Sequence, residues 1–494
     1  MRQRRIGHII VTAETKENVM KRLIAAFLAG LLCLSAVGCS AKPKLSPDNP
    51  VNISIWTYYS GDTLTAFNEL ISRFNRTVGK TLGVFVSSSY YGSVDELETA
   101  VLNSAAGNAG AANMPNIFLA YADTADSMDQ LGLLVDISEH ITDSELDLYI
   151  ESYLREGDFA GTGELKLFPT AKSTELLFIN KTDWDTFAHA TGASLDDLAT
   201  TEGLIETAAA YYEWTDSLTD TPNDGKAFFG YDAMDNYLLI GALQLGTEIF
   251  RTEDGTPRID FDRETIRKLW DSFYVPYVKG YYSATGRFRS DDVKTGDAIA
   301  YVGSSAGATY FPKQVIISDT DRYSIEMIAL PSPYFEDGEF IAAQQGAGMA
   351  VTCGTDLEIA ASIEFLKWFT APENNIAFSV NSGYLPVTRA GNDVDAILAS
   401  DPDISESMAQ VISVAVATVT DCRLYTSRVF AGETEARNIL KRRLSDQAIA
   451  DRAAVLAACA EGLSMEDALA RYLSDENFNS WYEETNHLLQ ACIE

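Results

Sequence analysis

The order of hydrophobic patterns along this chain predicts an α/β fold in two lobes, and three observations carry that prediction. Strand-type and helix-type patterns alternate between residues 51 and 120, the arrangement that builds βαβ units and a mostly parallel sheet. Further segments at 165–180, 298–303 and 325–330 look like sheet strands set among helical ones. The chain has 494 residues, 46% of them hydrophobic and 11% aromatic, which is more than one core usually serves.

Each element has its own signal. Val51, Ile53 and Ile55 alternate with Asn52 and Ser54, which marks a strand. Gly61-Asp62 then opens a helix whose apolar face is Leu64, Phe67, Leu70, Ile71 and Phe74. A second strand is expected at 82–88. Ser93 and Glu96 form a capping-box pattern for a helix through Ala106. Residues 116–120 read as a short buried strand. From Thr142 the chain is more helical, and beyond Asp356 almost entirely so. The period is clear in Ile359, Ile363, Leu366 and Phe369, and again in Ala436, Ile439 and Leu440. No internal repeat or low-complexity run is present.

Ahead of the fold lies MKRLIAAFLAGLLCLSAVGC, residues 20–39. A basic head at Lys21 and Arg22 precedes an apolar run from Leu23 to Leu34, too short to span a bilayer, which takes about 20 residues. Ser35, Ala36, Val37 and Gly38 lead into Cys39, an arrangement that resembles the lipobox of bacterial lipoproteins, with Ala36 where leucine is usual. The expected signal peptide is 1–38, the expected start Met20, and the expected lipidation site Cys39. An ordinary secretory signal with a chance cysteine is the other reading, and it exports the protein too. Residues 40–50 hold three prolines and no apolar period, so 39–50 reads as anchor and tether.

The whole chain has a formal charge of −34. Residues 1–38 hold six Lys/Arg and two Asp/Glu of the chain's 37 and 71, so the rest carries 31 basic and 69 acidic residues, a charge of −38. Such a surface is repelled by nucleic-acid phosphates and anionic headgroups, so only a covalent lipid would hold it at a membrane. The cysteines after Cys39, namely Cys353, Cys422, Cys459 and Cys492, form no CxxC pair and have no histidines at zinc-site spacing, so no metal is expected. Cys459 with Cys492 is the pair for a disulfide, and buried free thiols suit the same positions.

Several segments carry function together: PNIFLAY at 115–121, FPTAKSTELLFINK at 168–181, GAGMAV at 346–351, EFLKWFTAPEN at 364–374 and SGYLPV at 382–387. In this order and spacing they resemble the family 1 extracellular solute-binding proteins, the carbohydrate-type receptors of ABC importers. The resemblance implies a two-lobed, periplasmic-binding-protein-like fold of type II, with a hinge of crossing strands. By that pattern lobe 1 is 51–121 with 330–370 and lobe 2 is 122–329 with 371–494, the chain crossing near Tyr121, Ala329 and Thr370.

The residues themselves suit a sugar, whose ring faces stack on aromatics and whose hydroxyls all need partners. Trp56, Tyr58 and Tyr59 follow the first strand at its carboxyl end, where a cleft would open, and Tyr90 and Tyr91 follow the second. Asp123 follows the third, where it can accept hydroxyl protons or cap a helix. Lys172, Ser173 and Thr174 match the family segment that lines the cleft from the second lobe; a solvated turn is the alternative. Gly303-Ser304-Ser305-Ala306-Gly307 offers hydroxyls and bare amides at a strand-to-helix junction. Gly346 and Tyr384 face the cleft by the resemblance, with core packing the alternative for Tyr384. The region of Arg423 and Arg428 resembles the segment where glycerol-3-phosphate receptors keep an anion-binding arginine, but Val94 and Ala122 stand where a tyrosine and a glutamate would be expected. Surface arginines balancing an acidic chain are the plainer reading.

The rival class is an enzyme. Residues 303–307 satisfy GxSxG, the nucleophile elbow of α/β-hydrolases, with Ser305 as nucleophile. The triad needs a later histidine, and the one downstream is His487, beside Leu488 and Leu489 in a final amphipathic helix. The expectation is therefore a receptor without chemistry or cofactor. It is expected to be a lipid-anchored, extracytoplasmic monomer that captures a carbohydrate and hands it to ABC permease subunits. A glycerol-3-phosphate or related ligand is the alternative, and a serine hydrolase the more distant one.

Overall fold

The computed structural model describes residues 44–253, 256–426 and 429–493. The expected signal segment, Met20, Cys39 and Arg428 lie outside them. Among the described residues, nine strands build the two larger sheets: β1 Val51–Thr57, β2 Val84–Tyr90, β3 Ile117–Ala120, β4 Phe168–Pro169, β5 Glu175–Asn180, β6 Phe229–Tyr231, β7 Ala300–Ser304, β8 Met327–Pro331 and β9 Gly348–Val351.

The first sheet has the order β2-β1-β3-β9-β4. Its β1, β2 and β3 are mutually parallel, as the alternating pattern predicts, and β9 runs antiparallel to β3 and β4. The helix Gly61–Arg76 covers it, burying Ala66, Phe67, Leu70, Ile71 and Phe74; each fully buried phenylalanine contributes about 1.5–3 kcal/mol. The second strand begins later than expected. Leu82 ends a short helix, and Gly83 then turns the chain at φ 72°, where a Cβ would stand 2.2 Å from the Ser46 carbonyl oxygen. Ser93 accepts the Glu96 N–H at 3.1 Å, so the expected cap forms.

The second sheet, β8-β5-β7-β6, departs from the parallel expectation: β5 is antiparallel to both neighbours, and only β6 and β7 are parallel. Parallel pairing needs a crossover that returns the chain in the same direction; here β5 runs opposite to both β7 and β8, and β6 with β7 is the one parallel pair. Both faces of this sheet are buried. Leu177 and Ile179 pack with the helices of the largest core, and Leu176 and Phe178 face a third cluster that includes Ile376, Val380, Ile412 and Val416.

The cores divide the chain differently from the expected boundaries. Ala125, Met128, Ile137, Tyr153, Phe168 and Ala171 all pack with the first sheet, so the chain does not leave that lobe at Tyr121. It crosses at 171–175, returns at 343–347, and crosses again by the helix Pro372–Ser382 and its exit, where Phe378 packs in the first core but Ile376, Val380 and Leu385 in the third. These crossings lie side by side. Lys172 and Leu385 exchange backbone hydrogen bonds of 3.1 and 2.5 Å, and Ser173 and Gln345 exchange bonds of 3.0 and 2.9 Å. The C-terminal region is helical as expected except for Arg423–Tyr425, a strand that pairs in parallel with Ile341–Ala343. Cys353, Cys422, Cys459 and Cys492 are free thiols, one exposed and three half-buried, so neither the disulfide nor burial is realised. No helix among the described residues is long and apolar enough to cross a membrane.

Candidate functional site

Strand ends and crossing segments converge on one cleft of about 490 Å³. β3 stops at Ala120, and the helix Ala122–Gln130 follows. Tyr121 and Asp123 therefore stand at the carboxyl end of a parallel strand and line the cleft, with Glu98 and Glu156 beside them. The crossings supply Ser173, Gln344, Gln345, Gly346 and Tyr384; the turn after β6 supplies Asp232, the start of the helix Met234–Gln244 supplies Asp235 and Asn236, and β7 supplies Ser304. The C-terminal part closes the outline with Tyr425, Glu433, Arg437 and Lys441.

Five of the expected site residues line this space: Asp123, Ser173, Ser304, Gly346 and Tyr384. Ser304 donates to Ser173 at 3.1 Å, joining β7 to a crossing segment. Gly346 holds φ +96°, and a Cβ there would lie 2.8 Å from the Ala171 carbonyl oxygen, so a side chain at this wall of the cleft is excluded.

Trp56, Tyr58, Tyr59, Tyr91, Lys172 and Ser305 are not part of this lining, and Arg428 lies outside the described residues. Trp56 lies on β1 in register with Phe118, 5% exposed, its indole against Tyr91 at 5.1 Å. Tyr59 is buried among Phe67, Phe378 and Tyr384, and the Tyr58 ring packs edge-on against it at 5.7 Å. Burial pushes all four phenols, Tyr58, Tyr59, Tyr121 and Tyr384, upward, so they act as neutral hydroxyls. The aromatic run after β1 thus packs outside the cleft lining, because β1 has a partner strand on each side and its end is covered by the helix Pro372–Ser382. Lys172 is 1% exposed, and its ammonium donates to the Glu156 carboxylate and, at 2.6 Å, to the Gly346 carbonyl. It shapes the cleft from beneath.

Ser305 is fully buried, and its Oγ accepts the Thr174 N–H at 3.3 Å. A nucleophile elbow holds its serine exposed on a strained turn. Among the described residues, Asn223 is the one non-glycine residue with a left-handed φ, so residues 303–307 match that motif in sequence and not in geometry. Arg423, half exposed, pairs with Glu339 at 3.4 Å outside the cleft lining. No group of three potential metal-ligating side chains is found among the described residues.

Residues the sequence reading passed over carry much of the chemistry. Tyr121 and the Asp232–Asn236 stretch obey the rule used for Trp56, standing at strand ends. Glu433, Arg437 and Lys441 recur every four residues along the helix Glu433–Ala460, one polar face beside the apolar stripe. Arg437 donates to Asp235 through Nε at 3.0 Å and Nη2 at 2.5 Å, and to Asn236 Oδ1 at 3.1 Å. Asn236 in turn donates to Glu175 Oε1 at 2.9 Å, which also accepts from Gln345 at 3.1 Å.

Burial, with the charges of Asp235 and Asp232 adding, pushes the Glu175 carboxyl up to about 7 from an ordinary 4.5. A raised folded value means the native state holds the proton more tightly than the unfolded chain. The associated stability is full below about pH 4.5 and is lost as pH rises through about 7, on the order of 3 kcal/mol. Urea titrations from pH 4.5 to 7.5 should show the wild type losing that much relative to Glu175→Gln. Parallel profiles for the two proteins would refute the assignment.

The sequence matches the family described as bacterial extracellular solute-binding protein over residues 69–406. No curated protein matches it in a sequence search. Among solved structures it is similar to a cyclic α-maltosyl-1,6-maltose binding protein from Arthrobacter globiformis, with TM-score 0.65 and 18% identity over 90% of this chain and all of that one. It is also similar to UgpB from Mycobacterium tuberculosis, solved with glycerophosphocholine, with TM-score 0.63 and 19% identity over 90% and 100% of the two chains. A third is the substrate-binding protein Lmo0181 from Listeria monocytogenes, solved with cycloalternan, with TM-score 0.61 and 15% identity over 90% and 100%. At these identities the likeness is one of fold, the two-lobed fold of binding proteins.

Proposed function

The chain belongs to the bacterial extracellular solute-binding protein family, and from that premise we propose that it captures a carbohydrate, a mono- or oligosaccharide, and delivers it to an ABC importer. The observation that carries this reading is the composition of the cleft: residues of both lobes and of the crossings line it, with Tyr121, Tyr384 and Tyr425 among hydroxyl, amide and carboxylate groups. Rings suit the apolar faces of a sugar, and the polar groups suit its hydroxyls. A ligand that touches both lobes at once favours their closure, and closure is the signal a permease can read.

In this reading 51–171 with 347–370 and Phe378 form the first lobe, and 175–343 with most of 385–493 the second. The receptor works as a monomer on the outer side of the membrane. A lipid on Cys39 and the tether behind it would keep it within reach of the permease and raise the local concentration for handover.

The alternative ligand is a glycerol phosphate, which the similarity to a glycerophosphocholine-bound structure keeps in view. A bare phosphate asks for cations turned toward it, and here six of the lining residues are Asp or Glu against Arg437 and Lys441, with Arg437 engaged by Asp235. A thermal-shift screen of mono-, di- and oligosaccharides beside glycerol phosphates tests the proposal. Saccharides are expected to raise Tm in a saturable way without turnover; stabilisation by glycerol phosphates alone would reverse the order of the two ligands.

A further inference from the structure

The carboxylates of the cleft are unequally answered. Glu156 has the Lys172 ammonium and a 2.9 Å hydrogen bond from Gln344, and Asp235 has Arg437. Asp232 accepts the Arg289 backbone N–H at 2.8 Å, with that guanidinium 4.0 Å away. Glu98 and Asp123 have only neutral donors. Thr124 lies between them, giving its hydroxyl to Glu98 at 3.0 Å and its N–H to Asp123 at 2.8 Å, while the Thr434 hydroxyl reaches the other Asp123 oxygen at 3.0 Å. Among the described residues no Lys or Arg lies within ion-pair distance of either. Burial and the charges of Asp123 and Asp95 hold the Glu98 carboxyl above its ordinary range, so the two carboxylates oppose one another.

Two further observations point to what relieves this. Tyr121, next in sequence to the helix that carries Asp123, is 38% exposed and lines the cleft. An aromatic side chain lining the same cleft as two carboxylates suits an ammonium group. Gln344, 8% exposed and in the same lining, has a buried Oε1 with no hydrogen-bond partner among the described residues, an acceptor whose desolvation the chain leaves unanswered.

The geometry points to a ligand that carries a cationic nitrogen on its polyhydroxylated body, an amino sugar or an amine-bearing polyol, its charge held between Glu98 and Asp123 against Tyr121. This rests on the capture reading above and narrows its ligand class. A neutral sugar would leave the pair's repulsion unanswered, and an anionic one would increase it.

Isothermal titration of the full chain decides the matter, with glucosamine and its β-1,4 oligomers set against the N-acetylated and the unsubstituted counterparts. Glycerophosphocholine against glycerol phosphate forms a second arm, which separates a quaternary ammonium from a protonated amine. The cationic member of a pair should bind about tenfold tighter at low ionic strength, a preference that shrinks in 0.5 M salt. In Glu98→Gln/Asp123→Asn it should fall to within about twofold. The Tm of the unliganded variant checks that it folds, and Glu98→Gln alone replaces it if it does not. Equal affinity for neutral and cationic members, or a preference that survives the substitutions, would overturn the inference and leave saccharide capture standing. Failure of every saccharide and polyol to bind would overturn both.

Discussion

Replacing Lys172 by methionine is expected to destabilise the protein by about 3–5 kcal/mol, the range found when one member of a buried ion pair is removed. Both partners lie away from water, the Lys172 side chain 1% exposed and that of Glu156 8%. The substitution keeps the length of the stem but leaves a buried carboxylate with only the Gln344 amide, and it removes the donor from the Gly346 carbonyl. The expectation has an internal control. Lys172→Met with Glu156→Gln replaces the pair by neutral groups of similar volume, and most of the loss should be recovered because the cost lies in the unpaired charge. Chemical denaturation of the two variants and the wild type measures this. Equal losses in the single and the double variant would mean that packing, not charge, holds the position.

Arg437→Ala is the second large effect, about 2–3 kcal/mol, since Arg437 is partly exposed and the full buried-pair range does not apply. Its guanidinium links the helix Glu433–Ala460 to the helix Met234–Gln244 by way of Asp235 and Asn236. Asp235 is 8% exposed and would keep its charge without a counterion. The consequence reaches Glu175, whose proton affinity Arg437 restrains. In the variant the Glu175 carboxyl rises further, so stability should still begin to fall near pH 4.5 but continue to fall above pH 7. Asp235→Asn in the same background should restore part of the loss. A pH profile of unchanged shape would break the proposed link between the helix pair and the Glu175 site.

The fold was legible where local patterns decide it. Alternation in Val51, Ile53 and Ile55, the stripe from Leu64 to Phe74 and the Ser93 cap are short-range signals, and each forms as read. The strand start at 82 failed because the short helix Val78–Leu82 runs to a left-handed cap at Gly83, and the close approach of Ser46 that excludes a side chain there comes from a distant part of the chain. The second sheet's antiparallel order and the crossing at 171–175 failed for the same kind of reason, since pairing between Ser173 and Gln345 spans more than half of a lobe and leaves no local trace. Thr370 and Tyr121, expected at the crossings, are bound into the first lobe, Thr370 through its hydroxyl contact with Tyr149 at 2.6 Å.

The site shows the same division. Rules about strand ends brought Asp123 and Ser304 to the cleft and would have brought Tyr121. They misplaced Trp56 and Tyr59 because an aromatic at a strand end can face the lid of its own lobe as well as the ligand, and Phe378 supplies that lid. Lys172 was read as a ligand contact from its segment, but its partner Glu156 lies 16 residues away on a connection with no regular signal. Arg437 and Glu433 escaped because the apolar period of their helix, Ala436 and Leu440, draws attention to the neighbouring face.

The claim on which all of this depends is that the space between Tyr121, Tyr384 and the Asp232–Asn236 turn holds the ligand. Calorimetric titration with a stabilising saccharide, on the wild type and on Tyr121→Ala/Tyr384→Ala, tests it most directly. One site per chain and a loss of about 10- to 100-fold in the variant are predicted, from stacking worth about 1–3 kcal/mol. The same affinity in both proteins would place the ligand elsewhere and contradict the account.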